Sequence, residues 1–596
     1  MYRAPVSEIA FTLKHVAGMS AALEENRFGE LSEDLVDAIL EEAGKFASEE
    51  IAPLDAVADK HGTPLKDGAV TTPPGWRDAY HRWCEAGWNG LTGPEAYGGQ
   101  DLPTMLSIAT QEMWNAASMS YAVGPMLTIG AIEAISAHAS QDLKDTYLPK
   151  MVTGEWTGTM NLTEPQAGSD LGALKCRAEP TGDGRYRIFG QKIFITYGEH
   201  DMTDNIVHLV LARLPDAPPG TKGISLFLVP KFLVNDDGSV GERNDVFCNG
   251  VEHKLGIHGS PTCSMIYGDG YGGREPGAIG WLVGEENRGL ACMFTMMNNA
   301  RLAVGVQGVG IAERALQKAT AYAAERRQGS APGWTGEGMS PIVEHPDIKQ
   351  MLLHMRGLTS ASRAICYACA HAIDMAETSE TDKAKHWQER ANLLTPVAKA
   401  FSTDSGTEVA SLGVQIHGGM GYIEETGAAR HLRNARIAQI YEGTNGIQAI
   451  DLVTRKLPQS GGRHVLDYIE ELRAIAEEVR QSNRIDFGRT GERLAAALDD
   501  LEAATTHLQT LLSEGRIEQV LAGATPYLRL FGLAAGGCYL ARGALASGGD
   551  SPASSLRALT ARAFAERNCP DTAGLRATVA DGASAVTAAD ADLLAG

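Results

Sequence analysis

The sequence predicts a mainly α chain interrupted by a single β domain. Three observations carry this: helical patterning through about the first 150 residues, short β-branched and aromatic runs from about residue 158 to 283, and helical periodicity again from about Leu290. With 596 residues, of which 44% are hydrophobic and 21% charged, the chain has material for several domains and a cofactor held between them. Its 52 Lys and Arg against 74 Asp and Glu give a formal charge of -22, which disfavours nonspecific attraction to nucleic acid or anionic lipid.

The first helix is predicted over 32–52. Leu35, Ala38, Ile39 and Phe46 recur near helical spacing with Glu42 in the same register, and Ser32 and Asp34 supply N-terminal capping groups. Further helix signal runs from Trp76 to Cys84 and from Leu106 to Ala139. Strands are predicted at Tyr186–Phe189, Lys192–Thr196, Ile206–Leu211 and Ile224–Val229. Helices follow at Arg301–Arg326, Ile348–Met375, His386–Phe401 and Thr403–Gln415, and Pro458–Gly462 reads as a linker. Beyond it, Leu494, Leu498, Leu501, Thr505, Leu508 and Leu512 form one helical stripe, read as the core of a separate helical module rather than a coiled-coil seam.

Several chemistries lose their anchors here. Nine cysteines without repeated spacing do not form a disulfide framework and fit a reducing cytoplasm, and Cys366 and Cys369 read as buried small residues. Pro5, Glu8 and Lys14 break any signal-peptide core, and the longest apolar run, Leu530–Ala541, is too short to span a bilayer. Gly268, Gly270 and Gly273 match a dinucleotide pattern, but a strand-like segment follows instead of a helix, so a glycine-rich β-hairpin loop is expected. No Walker A, H-E-x-x-H or G-x-S-x-G pattern occurs.

Three segments are informative as a set. Met160–Asp170 packs turn formers and small hydroxyls at the entry to the β domain. Gln191–Thr196 puts Phe194 and Thr196 two residues apart on one strand face, an aromatic wall with a hydroxyl beside it that suits a flavin. Gln415–Gly421 and Ile440–Gly446 flank a helix, and Glu442 sits beside Gly443, where a carboxylate can project into a cleft.

In the order T-E-P-x-A-G-S-D, K-x-x-I-T, R-x-x-x-G-x-x-G from Arg301, Q-x-x-G-G-x-G and Y-E-G-T, the chain resembles the FAD-dependent acyl-CoA dehydrogenases over about residues 30–455. The resemblance implies an N-terminal helical domain (31–157, after an extension at 1–30), a middle β-barrel-like domain (158–285) and a C-terminal four-helix bundle (286–457). It also implies FAD between the last two, completed by a second subunit, in a homodimer or tetramer. Residues 463–596 would form an added helical domain. It further implies that Leu162, Thr163 and Ser169 meet the flavin ring, Ser169 also neighbouring substrate; that Phe194 stacks on the flavin; and that Thr196 lies near N5. Arg326, Gln328, Gln415 and Gly419 would hold the pyrophosphate and adenine half, and Thr444 and Asn445 would approach the FAD of their own subunit. Gly446 replaces a glutamine often found there. Met297, Asn298, Arg301 and Gly443 are the expected substrate contacts.

Glu442 resembles the family's catalytic base. A thioester α C–H is a weak acid, so a carboxylate must reach it in a dry pocket while hydrogen bonds polarise the carbonyl. The implied product is a trans-2-enoyl-CoA with reduced FAD. Ala300, at the position where some branches carry the base, excludes that variant. The N-terminal segment, the Glu442–Gln448 variant and the tail resemble bacterial enzymes acting on 3-methylmercaptopropionyl-CoA, in dimethylsulfoniopropionate catabolism, with short- or medium-chain fatty acyl-CoA of β-oxidation as the competitor. The implied electron acceptor is an electron-transfer flavoprotein. An acyl-CoA oxidase and a noncatalytic DNA-binding flavoprotein are the alternatives.

Overall fold

The computed structural model describes residues 2–596, and for Asn298 the backbone alone, so the expectation at that side chain lies outside the described residues. Two compact units interleave along the chain, residues 45–103 with 117–300, and residues 1–44 with 104–116 and 301–596.

The first unit is built on an eight-stranded sheet. Its strands are β1 (Trp156–Asn161), β2 (Arg177–Pro180), β3 (Tyr186–Thr196), β4 (Asn205–Ala212), β5 (Ser225–Pro230), β6 (Val246–Val251), β7 (Thr262–Tyr267) and β8 (Ala278–Val283). They run β6-β7-β3-β8-β5-β4-β1, with β2 paired to β3; β1 and β4 are parallel and the other pairs antiparallel. Every residue of β1, β4 and β5 is buried, so β4 and β5 read as largely apolar runs instead of alternating ones, while β1 buries Thr157, Thr159 and Asn161 as well. The two runs predicted as Tyr186–Phe189 and Lys192–Thr196 are one strand.

The glycine-rich loop requires a correction. It joins β7 to β8, which do not pair with each other because β3 lies between them, so it is a crossover and not a hairpin. Its amides are already satisfied: Asp245 accepts from Gly270 (2.8 Å), Tyr271 (2.8 Å) and Gly277 (3.0 Å). A carboxylate thus occupies the place where a dinucleotide-binding turn would present its amides to phosphate.

In the second unit, the 33–46 helix is capped as expected, Ser32 Oγ accepting from the Leu35 amide at 3.2 Å. Its buried face is Val36, Leu40 and Ala43, while Leu35 is exposed; the predicted apolar register is displaced by one residue. Its long helices are α1 (Thr104–His138), of which 104–116 belongs to this unit and which leaves helical geometry at Ser118, α2 (Gly289–Glu325), which belongs to it from Arg301 on, α3 (Pro346–Thr378) and α4 (Thr381–His417). The two helices predicted across 386–415 are one, running through Pro396. Its buried stretch Leu393–Phe401 supplies packing that outweighs the hydrogen bond proline removes. Beside it, α2 and α4 meet backbone to backbone. A Cβ on Gly305 would lie 2.6 Å from the Ala398 carbonyl, one on Gly406 2.6 Å from the Gly308 carbonyl, and one on Gly308 would collide with Ser402.

Residues 463–596 pack into the same compact unit as the bundle. The helix Ala524–Ala546 packs on α3 and α4 through Gly532, where any Cβ would strike the Phe401 ring, and Gly536, where it would lie 2.8 Å from Ala361. Arg390 grips Glu471 with two bonds (2.8 and 2.7 Å). The Leu494–Leu508 stripe is buried as bundle core. The N-terminal extension joins the same unit: Ile9 and Leu13 are fully buried, and Arg557 binds Glu8 at 2.8 Å while stacking over Phe11. No helix among the described residues is long and apolar enough to cross a membrane.

Candidate active site

The segment Tyr441–Asn445 leads into a short helix, α5 (Asn445–Asp451), whose N-cap Thr444 accepts from the Ile447 amide at 3.3 Å. Just before it, Glu442 (φ 57°) and Gly443 (φ 84°) are both left-handed. Glycine tolerates this conformation and glutamate does so only under constraint. The constraint is visible. Lys399 Nζ on α4 donates to the Gly443 carbonyl and to Asn445 Oδ1, both at 2.8 Å. Asn445 Nδ2 donates to Asp404 (2.7 Å) and Thr403 (3.0 Å). Gln448 Nε2 donates to the Glu442 and Gly443 carbonyls at 3.3 and 3.4 Å, and the Tyr441 hydroxyl donates to Gln307 on α2.

So held, Glu442 is half-buried. Burial raises its pKa above the ordinary 4.5, and the charges of Arg301 and Lys399 oppose that shift without cancelling it. Arg301 is itself pushed down by burial and drawn up by Asp451 and Glu442. The predicted residues Glu442, Gly443, Thr444, Asn445 and Arg301 therefore form one neighbourhood.

In the sheet unit, a second group gathers at β3. Lys192, fully buried, donates to the Leu162 carbonyl (2.9 Å) and to Glu164 (2.8 Å). Glu164 also accepts from the Lys175 and Cys176 amides at 2.6 and 3.0 Å. Burial acts to raise the Glu164 pKa, but the Lys192 charge and these bonds win and hold it below 4.5. The Ile193 amide then meets the Thr163 carbonyl at 2.9 Å, pinning the Met160–Asp170 segment to the strand. Phe194 corrects the plain-strand reading: it has φ 61° in a β-bulge where the register with β7 shifts, and it is 58% exposed. The bulge re-aims that ring, so simple alternation does not govern how it stands to Thr196. Leu162, Thr163, Thr196 and Met297 are half-buried and Ser169 is exposed.

Arg326 donates to Gln328 (3.3 Å) just past the end of α2, both exposed. Gln415 and Gly419, also exposed, lie at the end of α4 and in the turn after it. Lys192, Lys399, Gln307 and Gln448 were not singled out as site residues from the sequence. The available signal was a lone lysine amid small and apolar residues, Val397–Phe401, which implies a buried charge with a dedicated partner.

Residues 34–155, 159–269 and 287–457 match the models of the acyl-CoA dehydrogenase N-terminal, middle and C-terminal domains. Residues 468–590 match the acetyl-CoA dehydrogenase C-terminal-like model. The chain belongs to the acyl-CoA dehydrogenase family. Among curated relatives it is 44% identical to a 3-methylmercaptopropionyl-CoA dehydrogenase of Ruegeria pomeroyi, over 95% of this chain and 96% of that one. It is 36% identical to a butyryl-CoA dehydrogenase of Syntrophomonas wolfei, over 79% and 78%. A solved acyl-CoA dehydrogenase from Bacillus anthracis, complexed with FAD, superposes with a TM-score of 0.72 at 20% identity, covering 100% of this chain and 94% of that one. The chain is thus an FAD-dependent acyl-CoA dehydrogenase, an oxidoreductase whose domains follow the family's order with one helical domain added.

Proposed function

We propose that this acyl-CoA dehydrogenase removes the α proton of its thioester through Glu442, giving a trans-2-enoyl-CoA, and that its substrate is 3-methylmercaptopropionyl-CoA. The observation that carries the reading is the left-handed Glu442, whose carboxyl is raised by burial beside Arg301 and Lys399. A desolvated carboxylate of raised pKa is the stronger base for a weak carbon acid. When bound, FAD supplies the acceptor for the β hydrogen, which leaves as hydride.

This chain's residues suit that cofactor. The exposed Phe194 ring and the half-buried Thr196 hydroxyl on the same strand fit a flat heterocycle, with Leu162, Thr163 and Ser169 as its expected edge. Arg326 and Gln328 offer an exposed guanidinium and amide for a pyrophosphate, and Gln415, Gly419, Thr444 and Asn445 complete the expected contacts. Met297, Arg301 and Gly443 would border the acyl thioester, whose carbonyl the Glu442 amide polarises. Exposed Met420, Tyr422 and Ile423 beside Gly419 support a homodimer. Nine free cysteines, eight of them buried, support a reducing bacterial cytoplasm. An electron-transfer flavoprotein is the acceptor we infer.

The substrate rests on the name and 44% identity of the Ruegeria relative. A methylthio-propionyl chain is nearly isosteric with a short unbranched acyl chain, a difference worth only about 1–3 kcal/mol in an apolar pocket. Anaerobic titration of the purified flavoprotein with a thioester panel tests it: flavin bleaching should be most efficient with the methylthio-propionyl thioester, and a clear preference for butyryl-CoA refutes the assignment. Glu442→Gln should retain FAD and lose roughly 10²–10⁴-fold in bleaching rate; wild-type bleaching by this variant removes Glu442 as the base.

A further inference from the structure

Lys399 has no assigned role in the reaction, yet it is the fully buried cation nearest the loop that carries Glu442. Its surroundings are unusual for a lysine. It projects from the middle of α4, where Val397, Ala398, Ala400 and Phe401 are all buried. Removing an ammonium from water is costly, and burial pushes this one down to about 7, against the attraction of Glu442 and Asp404 and with added repulsion from Arg301. A leucine there would fill the space without that cost, so the lysine must be judged by what its donors hold.

They hold the loop at its turning point. One reaches the Gly443 carbonyl, immediately after the left-handed Glu442, and another reaches Asn445 Oδ1 at the start of α5, both at 2.8 Å. Asn445 is gripped from its other end by Asp404 and Thr403, two further residues of α4. The helix carrying Lys399 lies directly against α2, because Gly305, Gly308 and Gly406 bring the two backbones into contact. From the α2 side, Gln307 receives the Tyr441 hydroxyl. The loop is therefore pinned on both flanks of Glu442 by one rigid pair of helices.

We propose that Lys399 is a positioning residue of the dehydrogenation, its ammonium fixing the Glu442–Gly443 turn so that the carboxylate is aimed and kept ionised. The proposal rests on Glu442 being the base. Charged groups acting on the pair are Asp404 from α4, Arg301 from α2 and Glu442 itself, so replacing Lys399 removes one of two cations that lower the Glu442 pKa.

The test is anaerobic stopped-flow reduction of the full-length flavoprotein by acyl-CoA across pH, comparing wild type, Lys399→Met and Glu442→Gln. Lys399→Met should bind FAD, keep its dissociation constant for acyl-CoA within about threefold, and lose about 10- to 100-fold in limiting reduction rate, as a misaimed base does. Its acid limb should move to higher pH, because a missing cation raises the carboxyl pKa. A folded Lys399→Met with the wild-type rate and an unmoved limb overturns the proposal if Glu442→Gln is dead; if Glu442→Gln is active, the base assignment has failed instead. Should Lys399→Met not accumulate as flavoprotein, Lys399→Gln retains a neutral donor. It should recover part of the rate with the acid limb still displaced, and a wild-type rate and limb in that variant again overturn the proposal.

Discussion

At Glu442, backbone and charge act together. A non-glycine residue with φ 57° is held there by its neighbours, and this one also carries a carboxyl whose pKa burial has raised. As the proposed base, Glu442 must be ionised to act, so flavin reduction should increase with pH through an apparent pKa above 4.5, and a rate-pH series under anaerobic conditions checks this. Glu442 was legible in the sequence because it stands in the Y-E-G-T motif between glycine-rich turns. Gln448 was less so: the glutamine expected at 446 is a glycine, and only the fold shows Gln448 turning back to the Glu442 and Gly443 carbonyls. Lys399 was hidden for a different reason, since a helical run gives no sign of which loop a buried cation will meet.

Among the elements, β3 depends most on one ion pair. Glu164 and Lys192, 3% and 0% exposed, tie the Met160–Asp170 segment to the strand that carries Phe194 and Thr196. Breaking such a pair leaves an uncompensated buried charge, so Glu164→Gln should cost about 3–5 kcal/mol in denaturant unfolding. The same pair sets an acid limit. Glu164 is depressed in the fold, so its contribution is present above its unfolded value of 4.5 and is lost as pH falls through the lower folded value. A stability series below pH 4.5 should show progressive loss that is shallower in Glu164→Gln, since carboxylates such as Glu313 and Glu408 are depressed as well. The buried strands β4 and β5 were readable as apolar runs, whereas β2 and β6 were missed, since β2 ends in Pro180 and β6 contains Gly250. The bulge at Phe194 was invisible too, because alternation cannot show an extra residue opposite one partner.

For the whole molecule, the added helices are structural partners of the dehydrogenase bundle. Arg363 joins Glu112 on α1 (2.6 Å) to Glu313 on α2 (2.9 Å), and Tyr367 also binds Glu112, so the bundle's interior is itself polar and closely specified. Outside it, Phe401 and Ala361 are covered by Gly532 and Gly536 at contact distance. Deleting 463–596 uncovers those faces, and the truncated chain should be recovered as aggregated protein lacking FAD, measured as flavin absorbance in the soluble fraction. The sequence marked the linker at Pro458–Gly462 but could not show that the chain beyond it folds back, because a glycine in a helix does not name the surface it admits. The salt bridge from Glu8 to Arg557 and the bond from Arg542 to the Val16 carbonyl, 3.2 Å, give this closure a direction in time. Residues 8–16 are synthesised long before Arg542 and Arg557, which seat them, so Phe11 and its neighbours must wait, uncovered, while the intervening chain is made. Arrival of the 542–557 stretch, more than completion of any one domain, is the event that lets residues 8–16 settle.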